Sequence, residues 1–296
     1  MEVALIVNPF ASEVTQERVH AVELELARDA SVTTLLTERP GHAVELAAGA
    51  ANADALVVFS GDGGFNEALN GLPTDTPIGF LPGGGTSVLP RALGLSRDPV
   101  AAARRVADAL ASDRTRRISL GRVNGRRFAF SAGIGFDAEL VRRVDLRGRR
   151  DDGRRPGDLA YVLAAVQLVG GHRGRFGPAL EIAGVGRAAF ALVANADPYT
   201  YAGAVPIRVA PEARFELGLD LVAPARVGPL ALSRLLRYVV RGRGQAEAAD
   251  VLYGHDLDRI EAACDRPLPL QADGEDLGDV TEALFEAERG AVRVLV

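Results

Sequence analysis

The sequence predicts an α/β N-terminal domain with a parallel sheet, followed by a mainly antiparallel β-sandwich domain with inserted helices. Three observations carry that expectation. Over residues 1–115, short apolar runs end in glycine- or proline-bearing loops and give way to helical periodicity, the grammar of a parallel sheet covered on both faces. From Arg117 onward this grammar is replaced by alternating segments around an Asn124-Gly125 pair, a strong short hairpin signal. A chain of 296 residues also suits two domains at roughly 150 residues each. The expected division is 1–120 and 121–296.

Taken in order, Val3–Val7 is a short apolar run ending in Asn-Pro, as a buried parallel strand would. Residues 13–28 place Val19, Val22 and Leu26 at helical spacing, 31–37 reads as a strand, and 41–51 as a helix opening after Pro40-Gly41. ALVVFS (55–60) is a strand that runs into Gly61-Asp62-Gly63-Gly64 and then a helix through Leu69. IGFL (78–81) repeats the arrangement into Gly83-Gly84-Gly85, with helices after it and at 99–111. Beyond the boundary the strand candidates are 179–183, 188–194, 215–222, 258–264, 268–272 and 291–296. Helical patterns fall at 137–144, 158–169 and 229–241, and the charged segment 141–155 reads as a loop.

Composition excludes several classes. At 48% hydrophobic and 25% charged the chain is ordinary globular material. A net charge of −5 leaves no bulk footprint for nucleic acid, so no nucleic-acid partner is expected. One cysteine, Cys264, makes no internal disulfide and no Cys-based zinc cluster. The opening MEVALIVNPF lacks the basic region of a signal peptide, and the longest apolar run, around 159–169, is too short for a bilayer core of ~30 Å. All 34 basic residues are arginine, which excludes the lysine of a Walker A loop, of protein kinases and of Schiff-base enzymes. The expected location is cytoplasmic.

The chemistry-bearing segment is Ser60-Gly61-Asp62-Gly63-Gly64-Phe65-Asn66-Glu67. Glycines between a strand and a helix let backbone N–H groups approach an anion at the positive end of the helix dipole. An acidic residue inside such a loop suits a magnesium ion or a reacting hydroxyl; the competing reading is an ordinary turn in which Asp62 caps a helix. Gly83-Gly84-Gly85-Thr86-Ser87 occupies the same position one unit later, and Asn8-Pro9-Phe10-Ala11-Ser12 ends the first strand. Three such loops on the carboxyl edge of one sheet describe a phosphate or nucleotide site.

With these motifs in order, and with Ala132-Gly133-Ile134-Gly135-Phe136-Asp137 and Asp273-Gly274-Glu275 after them, the chain resembles the diacylglycerol kinase catalytic-domain family. That family includes bacterial lipid kinases and the sphingosine and ceramide kinases. Its pattern has an Asn-Pro loop, Gly-Gly-Asp-Gly-Thr before a helix, Pro-x-Gly-Thr-x-Asn, and a late Asp-Gly-Glu. The resemblance spans nearly the whole chain and implies an α/β nucleotide-binding domain followed by a β-sandwich lipid-binding domain. This sequence departs from the pattern at Ser60 (first glycine), Gly64 (threonine), Ser87 (asparagine), Pro90 (just after it) and Ser12 (glycine), changes that bear on nucleotide affinity.

The resemblance implies a kinase that uses ATP and Mg2+ to phosphorylate a hydroxyl of diacylglycerol or a related lipid. By matched position, Asn8, Pro9, Phe10, Ala11, Ser12, Thr37, Ser60, Gly61, Asp62, Gly63, Gly64, Asn66, Glu67, Gly84, Gly85 and Thr86 surround the nucleotide. Asp62 organises magnesium or assists the hydroxyl, and Glu275 is the general base, the competing reading being an exposed turn residue. The segment from Gly218 to Asp220 matches one implicated in a second metal site, with Leu217 beside it apolar where an acidic or polar residue is usual. The arginines from Arg142 to Arg155 are either a solvated loop or a contact with anionic lipid at the inner face of the membrane. Family members are often dimers, so a homodimer is within the expectation. Two alternatives stay open: a soluble-substrate kinase of the NAD kinase type, and a non-catalytic lipid- or nucleotide-binding protein.

Overall fold

Apolar runs of five or six residues, almost wholly buried, form the centre of the first unit: β1 (Glu2–Val7), β3 (Ala55–Ser60) and β4 (Ile78–Pro82). They alternate with α1 (Gln16–Leu26), β2 (Ser31–Leu36), α2 (His42–Gly49), α3 (Asp62–Gly71), α4 (Val88–Ala92) and α5 (Pro99–Ala111). The computed structural model describes residues 1–73, 75–146 and 158–296. The four strands pair in parallel in the order β2-β1-β3-β4. α1 opens on Thr15, whose hydroxyl accepts from the Arg18 N–H, and α5 opens on Asp98 with Pro99 at its first position. Both pack on one face, against Val3, Leu5, Val57 and Phe59. On the alternate side chains of the strands, Phe80 meets Phe65 of α3 edge to face, with centroids 5.3 Å apart.

The second unit contains β5 (Thr115–Val123), β6 (Arg126–Phe128), β7 (Ser131–Ile134), α6 (Phe136–Asp145), α7 (Asp158–Gly171), β8 (Leu180–Ile182), β9 (Gly186–Ala188) and β10 (Ala191–Ala194). It continues through β11 (Thr200–Ala202), β12 (Val205–Ile207), β13 (Leu219–Pro224), α8 (Pro229–Arg241), β14 (Val251–Leu257), β15 (Arg259–Ala272) and β16 (Glu275–Leu295). Antiparallel pairing runs β14-β13-β10-β7-β15-β16, with β8 also beside β15. Asn124 and Gly125 both take positive φ (47° and 87°), the type I′ turn that Asn-Gly favours between β5 and β6. Phe128, Ile134, Leu221 and Phe285 are among the side chains of its core.

The expected α/β domain and antiparallel domain are both present, with differences in detail. The compact units are Met1–Ser119 with Arg289–Val296, and Leu120–Glu288. The last eight residues, expected in the second domain, therefore belong to the first. β16 is long enough to leave its antiparallel partners and lay Val294 parallel to Ile78, with Leu295 in the first unit's core. The strands expected at 258–264 and 268–272 are one strand, β15. Its register against β16 shifts between Ala263 and Leu268, where Pro267 supplies no ladder donor. The helix expected at 137–144 is α6, and it takes in Arg142, Arg143 and Asp145 of the segment also read as a loop. Arg147, Arg149, Arg150, Arg154 and Arg155 of the same cluster lie outside the described residues. Among the described residues no helix is long and apolar enough to cross a membrane.

Candidate active site

The parallel strands of the first unit end side by side: Val7 pairs with Leu36 and with Phe59, and Ser60 with Pro82. Asn8–Ser12, Thr37, Gly61–Gly64 and Gly83–Ser87 therefore leave the same carboxyl edge. In the order β2-β1-β3-β4, the connection after β1 runs toward β2 and the connection after β3 runs toward β4. The loops after β1 and β3 thus flank the switch point where such sheets open a crevice for ligands.

Backbone bonds lock these loops together. The Asn8 N–H donates to the Phe59 carbonyl at 3.0 Å, and Asn8 Oδ1 accepts from the Phe10 N–H at 3.0 Å, a turn that leaves Phe10 exposed. The Thr37 N–H donates to the Val7 carbonyl and the Gly83 N–H to the Ser60 carbonyl (2.9 and 2.7 Å). A Cβ on Gly84 would stand 3.0 Å from the Gly61 Cα, so the two glycine loops touch backbone to backbone. Gly63 and Gly85, by contrast, have open space where a Cβ would be.

Asp62 joins the two loops through its side chain. Its Oδ2 accepts from the Val88 N–H at 3.0 Å and its Oδ1 from the Leu89 N–H at 3.1 Å. It is a cap, though of α4 and not of the helix it begins. Ser87, at positive φ (47°), folds its hydroxyl back onto the Gly84 carbonyl at 2.7 Å, and the Thr86 carbonyl accepts from Arg91. Ser60 is buried at 1% exposure, and its Oγ has no hydrogen-bond partner. Asn66 and Glu67 serve the packing of α3. Asn66 is buried and accepts from the Asn70 side chain, while Glu67 accepts from the Ala43 N–H at the start of α2.

In the second unit Glu275 opens β16 directly after a turn in which Asp273 and Gly274 both have positive φ (47° and 78°). Its carboxylate pairs with Arg126 and is half exposed. The turn is fixed from two sides. Buried Asp273 accepts from the N–H groups of Ala129, Phe130 and Ser131 at 2.6, 3.0 and 3.1 Å. Gln271 Oε1 accepts from the Gly274 N–H at 2.9 Å, while Gln271 Nε2 donates to Asp137 Oδ2. Asp137 also accepts from the Tyr199 hydroxyl, and burial pushes its pKa up to about 6 against those two bonds. On the next residues of β16, Arg142 pairs with Asp276 and Asp279 and holds the Asp276 carboxyl below the usual range. The sequence assigns no role to Asp273 beyond its place in the Asp-Gly-Glu motif, and none to Gln271 or Arg126. The Asp-Gly pair signalled only a turn, and the partners lie more than a hundred residues away.

Asp220 is fully buried on β13. Its Oδ1 accepts from the Asp256 N–H at 3.1 Å and lies 2.9 Å from His255 Nδ1, and its Oδ2 accepts from the Tyr253 hydroxyl at 3.2 Å. Burial raises its pKa. Both oxygens are thus committed to holding β14 against β13. Among the described residues no group of three or more His, Cys, Asp or Glu side chains is placed to hold a metal ion.

A family model described as the diacylglycerol kinase catalytic domain matches residues 2–123, and one described as the YegS C-terminal NAD kinase beta sandwich-like domain matches residues 131–296. The chain belongs to the diacylglycerol kinase catalytic-domain family. A protein of Bacillus subtilis (strain 168) named diacylglycerol kinase is 34% identical over 119 residues, 39% of this chain and 37% of that protein. The match thus spans well under half the length of that curated relative. The crystal structure of a diacylglycerol kinase from Bacillus anthracis str. Sterne superposes over 99% of this chain and 96% of that one, with a TM-score of 0.73 and 20% identity. An NAD kinase from Archaeoglobus fulgidus, solved in complex with ATP, covers 100% of this chain and 94% of its own, with a TM-score of 0.54 and 15% identity. At those identities the likeness is one of fold. Against the Gly-Gly-Asp-Gly-Thr pattern that this chain resembles, Ser60 stands at the first glycine and Gly64 at the threonine.

Proposed function

We propose that this family member is an ATP- and magnesium-dependent lipid kinase that transfers the γ-phosphate to a hydroxyl of diacylglycerol or a related lipid. The observation that carries the reading is the Asp62 clamp. One carboxylate ties two glycine loops together at the carboxyl edge of a parallel sheet, beside its switch point, where backbone N–H groups favour phosphate. The residues present fit a nucleotide triphosphate. Gly63 and Gly85 leave room that side chains would fill, a Cβ on Gly83 would collide with Val14 and the Ser60 carbonyl, and one on Gly84 would be tight against Gly61. They also fit magnesium, which keeps several waters and is held by one or two carboxylates plus the substrate's phosphates. Asp62, whose two carboxylate oxygens each accept a backbone N–H at the start of α4, would be its protein partner. Bound there, the ion supplies charge neutralisation of the phosphates.

The chain's own groups divide the remaining work. The loops Asn8–Ser12, Gly61–Gly64 and Gly84–Thr86 bind and orient the nucleotide phosphates. Glu275, held by Arg126 and by the turn anchored at Asp273, accepts the proton of the lipid hydroxyl. Phosphoryl transfer depends mostly on such positioning and charge stabilisation. The lipid reading is favoured over an NAD kinase by the catalytic-domain family match and the curated relative's name.

The test is a labelled-ATP assay over a panel of mixed-micelle lipids (diacylglycerol, monoacylglycerol, ceramide, sphingosine, prenols), with NAD as a soluble acceptor. Thermal unfolding with and without millimolar ATP and magnesium accompanies it. Turnover on a lipid alcohol, with a raised Tm, is the expected result. Turnover on NAD alone identifies the soluble-substrate enzyme. A raised Tm without turnover on any acceptor identifies a binding protein, and an unchanged Tm removes the nucleotide site.

A further inference from the structure

Helix α8, PLALSRLLRYVVR, lies on the second unit with none of its residues buried. Its inner side is ordinary: Leu232, Leu235 and Val239 pack on neighbouring apolar clusters, and Arg234 pairs with Asp250. Its outer side is not. Leu230, Ser233, Leu236, Arg237, Val240 and Arg241 recur at helical spacing on one exposed face. Leu230 is 88% exposed, Leu236 59% and Val240 62%, far more open than scattered surface leucines need be. Arg237 and Arg241 have no carboxylate partner among the described residues, and the helix contains no Asp or Glu.

The basic character extends past the N-terminus of the helix. Gly174 lies against Pro229, with its Cβ position 3.5 Å from that ring. Phe176 and Val227 form a two-way backbone bridge. Exposed Arg173, Arg175 and Arg226 are therefore carried by the two segments that adjoin the start of α8.

We propose that this face of α8 is a docking surface for a bilayer containing anionic phospholipid. Exposed leucines and valine interleaved with unpaired arginines, and no acid, is the makeup of a helix that lies in the membrane interface. The leucines would enter the acyl boundary while the arginines meet lipid phosphates. Charge complementarity selects this occupant over a second copy of the chain. A two-fold interface would set the face against a copy of itself that is equally basic and offers its arginines no carboxylate. The proposal deepens the lipid-kinase reading, because it supplies the surface on which a membrane-borne substrate is met, yet its test needs no turnover.

The test is flotation of the full chain with vesicles of phosphatidylcholine, alone or with about one-third phosphatidylglycerol. Wild type is expected to float with the anionic vesicles only, and less as salt rises. Each arginine near such a surface is worth roughly fivefold in partitioning, so Arg237→Gln with Arg241→Gln should weaken it about 30-fold. Leu230→Ser with Leu236→Ser should weaken it by roughly tenfold or more. Arg266→Gln, an exposed arginine on β15, should change nothing beyond about twofold. All these side chains are exposed, and a retained Tm confirms folding. Wild-type partitioning by both double variants overturns the proposal, as does equal flotation with neutral vesicles. A leucine variant that turns a dimer into a monomer in sedimentation, with flotation unchanged, assigns the face to a second copy instead. Turnover on a short-chain soluble diacylglycerol separates this failure from failure of the kinase reading. If it persists while flotation is absent, only the docking surface falls.

Discussion

Ser60 and Gly64 occupy one volume between them. A Cβ placed on Gly64 would stand 2.1 Å from the Ser60 Oγ and 2.8 Å from the Ser60 Cβ. Rotating the hydroxyl would relieve the first contact and leave the second. The family pattern has the opposite arrangement, glycine at the strand end and threonine in the first turn of the helix. Two departures that look independent along the sequence are therefore a single exchange of space across one helical turn.

This pairing predicts a specific coupling. Gly64→Thr alone should overpack the loop and cost about 1–3 kcal/mol of stability. With Ser60→Gly added, most of that loss should return, so urea unfolding of the double-mutant cycle should give a coupling energy above about 1 kcal/mol. Additive effects would mean that the loop relaxes around the threonine without help from position 60.

Asp62 is expected to act on structure and on ligand together. In Asp62→Asn one oxygen still accepts, while the new amide turns a donor toward the other N–H of Val88 or Leu89. A half-buried donor left without a partner costs about 1–3 kcal/mol, so the Tm should fall and the stabilisation by ATP with magnesium should shrink in the same variant. A variant of unchanged stability whose magnesium response alone is lost would show that the clamp contributes little.

Glu275→Gln should separate chemistry from binding. Loss of a general base typically lowers the rate by about 10²–10⁴-fold. Nucleotide stabilisation of the Tm should stay at the wild-type level, because Glu275 belongs to the second unit and the glycine loops to the first. Near-full turnover in Glu275→Gln would return the residue to the role of an exposed turn carboxylate paired with Arg126.

Asp137 should leave a mark on the pH dependence of stability. Its pKa is raised by burial from an ordinary 3.8 to about 6 in the folded protein. Between those values the folded state holds a proton that the unfolded state has lost, so its contribution is fully present below pH 4 and declines as pH rises through 6. The full span is of the order of 3 kcal/mol. Asp137→Asn, which can accept from Gln271 and donate to Tyr199, should flatten the urea-measured slope between pH 4 and 6 by about one proton. An unchanged slope would place the titration elsewhere.

Much of the fold was legible because its signals are local. Buried runs such as Ala55–Ser60, glycines at strand ends, the Asn124-Gly125 turn and the helix at Pro229–Arg241 each follow from the conformational preferences of a few adjacent residues. The same signals located three of the loops that converge on one sheet edge. The long strand β16 was only partly visible. Its polar, outward-facing residues hide the alternation over Glu275–Glu288, and its return to the first unit depends on a partner strand some two hundred positions earlier.

What the sequence by itself determined was therefore the order of elements, the change of grammar between the two units and the residue types available for chemistry. Tertiary structure alone decided how those residues are spent. Asp62 looks like the cap of its own helix but reaches 26 positions on to α4. Asp273, visible in the sequence only as part of an Asp-Gly-Glu motif, accepts from three backbone donors and sets the turn that presents Glu275. Glu67 and Asn66, adjacent to the loop in the chain, turn into helix packing. The physical reason is common to all of them. A carboxylate or amide satisfies whichever donors the packing brings within about 3 Å, and that proximity is a property of the folded chain, with no imprint on the residues next to it.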